Sequence, residues 1–156
     1  MNSFISIPYH PVHADHINLR QHEAELLDPE KLEFLADMGA AITVLKKTDE
    51  ARPIIMAFMG YQTVWDGVID VFVIPSENIY TLALADKIAY IRYIRQLLKN
   101  MSETIKPLHR MHTYSLANDE TDKWMKALGF TCEGTLSKFT TNRLDYRLWS
   151  RMVDNG

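Results

Sequence analysis

Cysteine is nearly absent from this chain: its 156 residues carry one, Cys132. No internal disulfide can form, which fits a reducing compartment. With no histidine near it in sequence, Cys132 reads as a core thiol rather than a nucleophile. Positive charge is not in excess, since 17 Lys and Arg face 20 Asp and Glu for a net charge of -3. That balance leaves no electrostatic footprint for nucleic acid, and none is expected as a partner. The triad Arg92, Arg95 and Lys99 reads as a solvated helix face. No apolar run is long enough to span a membrane, so no membrane partner is expected. Residues Met1 to Ile7 lack the basic region and long apolar stretch of a secretory signal, so the expected location is cytoplasmic. Gly-x-Ser-x-Gly, P-loop and dinucleotide fingerprints are all missing, as are repeats and low-complexity tracts.

What is present is an ordinary globular composition, 47% hydrophobic and 24% charged, in a length that suits one domain with a real core. The patterning predicts a domain over 1–152 and a loose tail over 153–156. A first strand is expected before Pro8, a helix from about 12 to 27, and a second short helix over 29 to 37. Strands follow at 41–47 and 54–63, and Asp66-Gly67 marks a tight turn. Val68 to Ile74 is nearly continuous in β-branched residues and predicts a central strand buried on both faces. Leu84, Ile88, Ile91, Ile94, Leu98 and Met101 mark the apolar side of a long helix within 80–105. A strand at 109–115, a helix at 118–128 and strands at 130–139 and 145–152 complete the order. The fold class is α+β (mixed α/β), with a mostly antiparallel sheet of about six to seven strands and helices on both faces.

Residues 117–134 carry the most local information. Asn118 is a good N-cap, and Asp119, Glu120 and Asp122 suit the positive end of the helix dipole. Trp124, Ala127 and Leu128 supply an apolar stripe, and Gly129 sits where a glycine stops a helix. Asn118, Gly129-Phe130 and Glu133-Gly134 together resemble the signature near the C-terminus of the GNAT acyl-CoA N-acyltransferases. Val73-Ile74-Pro75 is similar to that family's Val-x-Pro at the end of the fourth strand, and the resemblance spans nearly the whole chain. The degenerate parts of the pattern also resemble small GNAT-like proteins of tailed phages, including the internal virion protein A family of podoviruses.

The resemblance implies transfer of an acyl group, most simply from acetyl-CoA or another acyl-CoA, to an amine on a small molecule or protein. In the family the fourth and fifth strands splay to admit acyl-CoA, and the backbone after the fourth strand binds its pyrophosphate. The residues this implies are Phe72, Val73, Ile74, Tyr80, Thr81, Leu82 and Ala83, with Asn118 as a further cofactor contact or a plain N-cap. The family's glycine-rich segment is replaced by 76–85, which holds no glycine and no basic residue, with Ala83 and Ala85 at the small-residue places. Met125 stands where many members carry a tyrosine proton donor, and a thioether has no proton to give. Tyr114 is the first substitute, ahead of Tyr80 and Tyr146. Asp70 is the candidate base or a buried polar residue; Glu133 is the runner-up. The alternative is a GNAT-fold protein that has lost catalysis and works by binding or assembly, and a homodimer is an assembly either reading allows.

Two further groupings read as structural. His10, His13 and His16 recur every third residue but straddle Pro11 and lack a His-Glu-x-x-His spacing, so they read as surface, with an acceptor-substrate wall as the alternative. His109 and His112 fall on opposite faces of a regular strand. Trp65, Trp124 and Trp149 are expected in the core or an interface.

Overall fold

The computed structural model describes residues 3–27, 34–37, 40–50 and 52–155. Seven strands form one sheet in the order β1-β2-β3-β4-β5-β7-β6. They are β1 (Phe4–Pro8), β2 (Ile42–Lys46), β3 (Ile54–Trp65), β4 (Gly67–Pro75), β5 (Leu108–Leu116), β6 (Thr131–Leu136) and β7 (Tyr146–Asn155). Among the described residues the α-helices are α1 (Gln21–Ala24), α2 (Phe34–Asp37), α3 (Leu84–Thr104) and α4 (Asp119–Ala127). This is the expected α+β class with a mostly antiparallel sheet. The exception is β4–β5, a parallel pair running from Gly67↔Leu108 to Asp70↔His112. That ladder ends there, although β4 continues to Pro75 and β5 to Leu116. Parallel neighbours need a long crossover, and α3 supplies it.

Two compact units divide the chain: Met1–Tyr61 with Phe72–Tyr90, and Gln62–Val71 with Ile91–Gly156. In the first, Tyr9, Leu35, Ala41, Leu45, Ile55, Phe58 and Ile74 pack into one apolar cluster. Tyr9 meets Phe58 edge-on at 5.0 Å, and Phe4 packs against Tyr90 at 5.5 Å. In the second, Trp149 is fully enclosed and its indole Nε1–H donates to Ser115 Oγ at 2.8 Å. That bond satisfies a polar atom that burial would otherwise strand.

Several expectations need correction. The helix read over 12–27 is two pieces. His10 caps a 3-10 turn, Pro11–Asp15, through Val12 N–H. The chain then extends so that Leu19 bridges Ser76 and Asn18 O accepts from Glu77 N–H at 2.7 Å, before α1 begins. A tertiary backbone pairing has overridden the local helical pattern. Of the helix read over 29–37, Phe34–Asp37 is helical; residues 28–33 lie outside the described residues. The central strand β4 is not buried on both faces: Ile69 and Val71 are buried, whereas Val68, Asp70 and Phe72 are only half-buried. β7 runs on through Val153 and Asp154 to Asn155, which pairs with Leu108, so residues read as a loose tail extend a strand. Cys132 is exposed because β6 is an edge strand. Trp65, at the β3–β4 hairpin tip, is 72% exposed. No helix among the described residues is long and apolar enough to cross a membrane.

The hairpin tip shows why Asp66-Gly67 was legible. Gly67 has φ +83°, and a Cβ added there would come within 2.3 Å of His109 Nδ1. Gly67→Ala is therefore expected to destabilise the protein by about 1–3 kcal/mol, from the backbone conformation and the displaced imidazole together. The shift of the urea unfolding midpoint measures it.

Candidate active site

Alternation along β5 turns Met111, Thr113 and Ser115 inward and leaves Arg110, His112 and Tyr114 on the other face. A register shift between Leu108 and Arg110 breaks the strict alternation that would have set His109 against His112. Neighbouring strands add to the Arg110 face. Asp70 on β4 is in register with His112, which is in register with Ser150 on β7, which pairs with Thr131 on β6. Two residues beyond Thr131, at a second register shift, Glu133 reaches the same group. Gln62, from β3, donates a hydrogen bond to Asp70.

The electrostatics separate the two carboxylates. Burial pushes the Asp70 carboxyl up from its ordinary value, against the opposing pull of His112 and the Gln62 hydrogen bond. Glu133 goes the other way. Arg110 grips it with both arms, Nη1 to Oε1 at 2.8 Å and Nη2 to Oε2 at 2.5 Å. That fork, joined by a hydrogen bond from Ser150, holds the Glu133 carboxyl down at about 2. A base needs affinity for a proton, so Asp70 suits that role and Glu133 does not. Arg110 Nε–H also donates to His112 Nδ1 at 3.4 Å, which favours the tautomer protonated at Nε2.

Tyr114, expected from sequence as the substitute proton donor, is exposed, with its ring edge-on to His112 at 6.0 Å and stacked on Phe139 at 5.2 Å. Met125 is buried in the core, which accounts for an apolar residue at the place of the family's tyrosine. Asn118 acts as the N-cap of α4: its Oδ1 accepts from Thr121 N–H at 2.8 Å. Arg110, His112, Gln62 and Ser150 were not singled out from sequence for this site. The signal that could have found Arg110 and His112 was the Arg-x-His-x-Tyr alternation of β5.

The segment after β4 belongs to the first unit. Pro75 leads into a 3-10 turn, Glu77–Thr81, capped by Ser76 Oγ, which accepts from Asn78 N–H. Ser76 N–H donates to Met56 O at 2.7 Å, so the segment is stitched to both β3 and the chain at Asn18. Tyr80 OH accepts from Arg20 Nη1 at 2.8 Å, and Arg20 is also paired to Glu23 at 2.5 Å. Lys46 Nζ lies 3.2 Å from Asp86. Arg20 and Lys46 thus reach the segment from elsewhere in the chain, each already paired with a carboxylate, Glu23 and Asp86. The first α3 backbone bond in which this region donates is Lys87 N–H to Ala83 O. The N–H groups of Leu82, Ala83, Leu84, Ala85 and Asp86 have no acceptor among the described residues. Ala83, Leu84 and Ala85 are exposed there. The unpaired N–H groups opening a 21-residue helix favour an anion, while the Asp86 carboxylate in that first turn opposes one. Among the described residues no group of three or more His, Cys, Asp or Glu could hold a metal.

Near this loop, burial and the neighbouring Arg20 hold His22 down to about 4, with Glu25 opposing. The native state then binds fewer protons than the unfolded chain between about pH 4 and 6.5, so stability is full above that window and declines as pH falls through it. His22→Gln is expected to flatten that decline by about 1–2 kcal/mol, allowing for solvent screening, measured as urea midpoints at pH 7 and pH 4.5.

No family model and no curated protein sequence matches this chain. Solved structures do. A GNAT-family acetyltransferase from Bacillus anthracis superposes with a TM-score of 0.68 at 11% identity, covering 96% of this chain and 95% of that one. The microcin C7 self-immunity acetyltransferase, solved with acetyl-CoA and AMP, gives 0.66 at 12% identity over 98% and 94%. Arabidopsis thaliana NAA60, in complex with a bisubstrate analogue, gives 0.65 at 14% over 98% and 99%. The chain has the fold of the GNAT acetyltransferases.

Proposed function

We propose that the protein is an acyl-CoA-dependent N-acyltransferase, with acetyl-CoA the simplest donor. The observation that carries this reading is the run of N–H groups without a backbone acceptor from Leu82 to Asp86, between the 3-10 turn that follows β4 and the first turn of α3 in a GNAT-type sheet. These donors would hold the pyrophosphate, with Tyr80, Thr81, Leu82 and Ala83 around it. Phe72, Val73 and Ile74 would line the pantetheine. Bound acyl-CoA would supply a thioester carbonyl as the electrophile.

The chain's own residues then manage two protons. Asp70 takes one from the attacking amine as the new C–N bond forms, and the Tyr114 hydroxyl gives one to the sulfur as the C–S bond breaks. The products are an N-acyl amide and free CoA thiol. Buried Met125 and the lack of glycine in 76–85 support a second reading, a binding or assembly protein on the same fold.

Calorimetry with acetyl-CoA and with CoA separates the two. Saturable binding of both is expected, and Ala83→Asp combined with Ala85→Asp should weaken it at least about tenfold by setting carboxylates against the phosphates. Absence of binding at millimolar ligand would remove the enzyme reading.

A further inference from the structure

The turn between β1 and α1 is closed by imidazole nitrogens, where a reciprocal cap usually carries hydroxyl, carboxylate or carboxamide groups. Val12 N–H donates to His10 Nδ1 at 3.1 Å, and His10 N–H donates to His13 Nδ1 at 3.1 Å. The two side chains thus cap the 3-10 turn Pro11–Asp15 from both ends of one box. His13 Nδ1 also lies 2.8 Å from Thr43 Oγ1 on β2. Because that nitrogen already accepts, the hydroxyl is the donor. The two rings stand 6.0 Å apart.

Every one of these bonds needs a bare Nδ1. A neutral imidazole has one donor and one acceptor, so both rings carry their proton on Nε2. A second proton has only Nδ1 to go to, and there it turns an acceptor into a donor. The Thr43 hydroxyl can rotate to accept from it. The backbone N–H groups of Val12 and His10 cannot, so protonation sets donor against donor at both. Two neighbouring imidazolium rings then repel as well.

Little around the turn would hold those charges. β1 and β2 contain no Asp or Glu, and the cation of β2, Lys46, is paired with Asp86. What these strands bring to His13 is the Tyr9 ring, edge-on at 6.0 Å just past β1, and buried Thr43. The turn itself adds exposed Asp15 and exposed His16, which becomes a further cation. Burial, with His10 and His16, moves the His13 pKa below its ordinary value. The closed turn therefore binds fewer protons than the open segment, so it is favoured above about pH 6.5 and released as pH falls below that.

We propose that the histidine-capped turn is a proton-operated latch, closed while His10 and His13 are neutral and open once both are protonated. Its closed form seats Tyr9 and Ala14 in the apolar cluster of the first unit. The β1–β2 pairing, Phe4↔Lys46 to Pro8↔Ile42, uses backbone bonds that need no histidine, so the sheet stays folded when the latch opens. None of this rests on the acyltransferase reading.

Backbone 15N relaxation at about pH 7.5 and about pH 5 tests it. Order parameters over residues 10–15 are expected near about 0.85 at the higher pH and below about 0.6 at the lower, with β2 rigid at both. His10→Asn combined with His13→Gln restores a cap and its reciprocal partner from side chains that do not titrate. That variant should stay ordered at both pH values. His16→Gln, outside the capping bonds, should respond as the wild type does. His10→Asn alone should give a shallower transition, one proton in place of two, which keeps the test alive if the double variant fails to fold. A segment mobile at pH 7.5, one still ordered at pH 5, or a double variant that loosens as the wild type does overturns the proposal.

Discussion

Asp70→Asn is expected to lower kcat for amine acylation by about 10²–10⁴-fold, the usual contribution of a positioned acid or base. Acetyl-CoA affinity should be unchanged, because none of the proposed pyrophosphate donors involves β4 at Asp70. The wild-type rate should rise with pH as Asp70 loses its proton, with a midpoint above that of an ordinary carboxylate because burial raises it. The stability consequence has its own sign. The folded state holds the Asp70 proton more tightly than the unfolded chain, so Asp70 costs stability as pH rises through that interval. Asp70→Asn removes this cost, so an inactive but equally or more stable variant is the expected pair of results. A rate unchanged by the substitution, measured as CoA thiol release, would assign the base elsewhere. Glu133→Gln provides the contrast. Its carboxyl is already committed to Arg110, so the expected loss is of order within the site rather than of a proton acceptor.

The largest expected effect on stability is at Trp149. Trp149→Ala should destabilise by about 3–5 kcal/mol, since it empties a fully enclosed aromatic site. It also strips Ser115 Oγ of its indole partner, leaving a polar group buried. Against a typical total of about 5–15 kcal/mol, that is a large fraction. Trp149→Phe keeps most of the apolar volume and loses the hydrogen bond, so it should fall well short of the alanine variant. Urea unfolding of the two variants, followed by far-UV circular dichroism, separates the packing share from the hydrogen-bond share.

The parts legible in the sequence were those written in local chemistry. Asn118, the acidic first turn and Gly129 defined α4 within a residue or two because caps and stops act over one turn. The long apolar period placed α3, although Leu84 and Ile88 proved exposed while Tyr90, Ile94 and Leu98 carry the buried stripe. The N-terminal region failed because its helical spacing competed with a backbone pairing 57 residues away, Leu19 with Ser76. The site divided in the same way. Asp70 and Tyr114 were read on strands, and the structure places both on strands. Their neighbours were not read, because Arg110 and Glu133 become partners only after strands pair and a bulge sets the register. Periodicity shows which face a residue takes; it does not show which residue stands opposite.

The segment following β4 has a thermodynamic consequence of its own. Ser76 and Glu77 donate to Met56 and Asn18, Ser76 Oγ caps the turn, and Tyr80 is tied to Arg20. A loop already fixed at so many points has little conformational freedom left to surrender. Ligand capture there should proceed without the large negative heat-capacity change that accompanies folding on binding. Calorimetry between 10 and 35 °C, roughly, would then return a slope set by the ligand's own buried apolar area, as expected for a preorganised site.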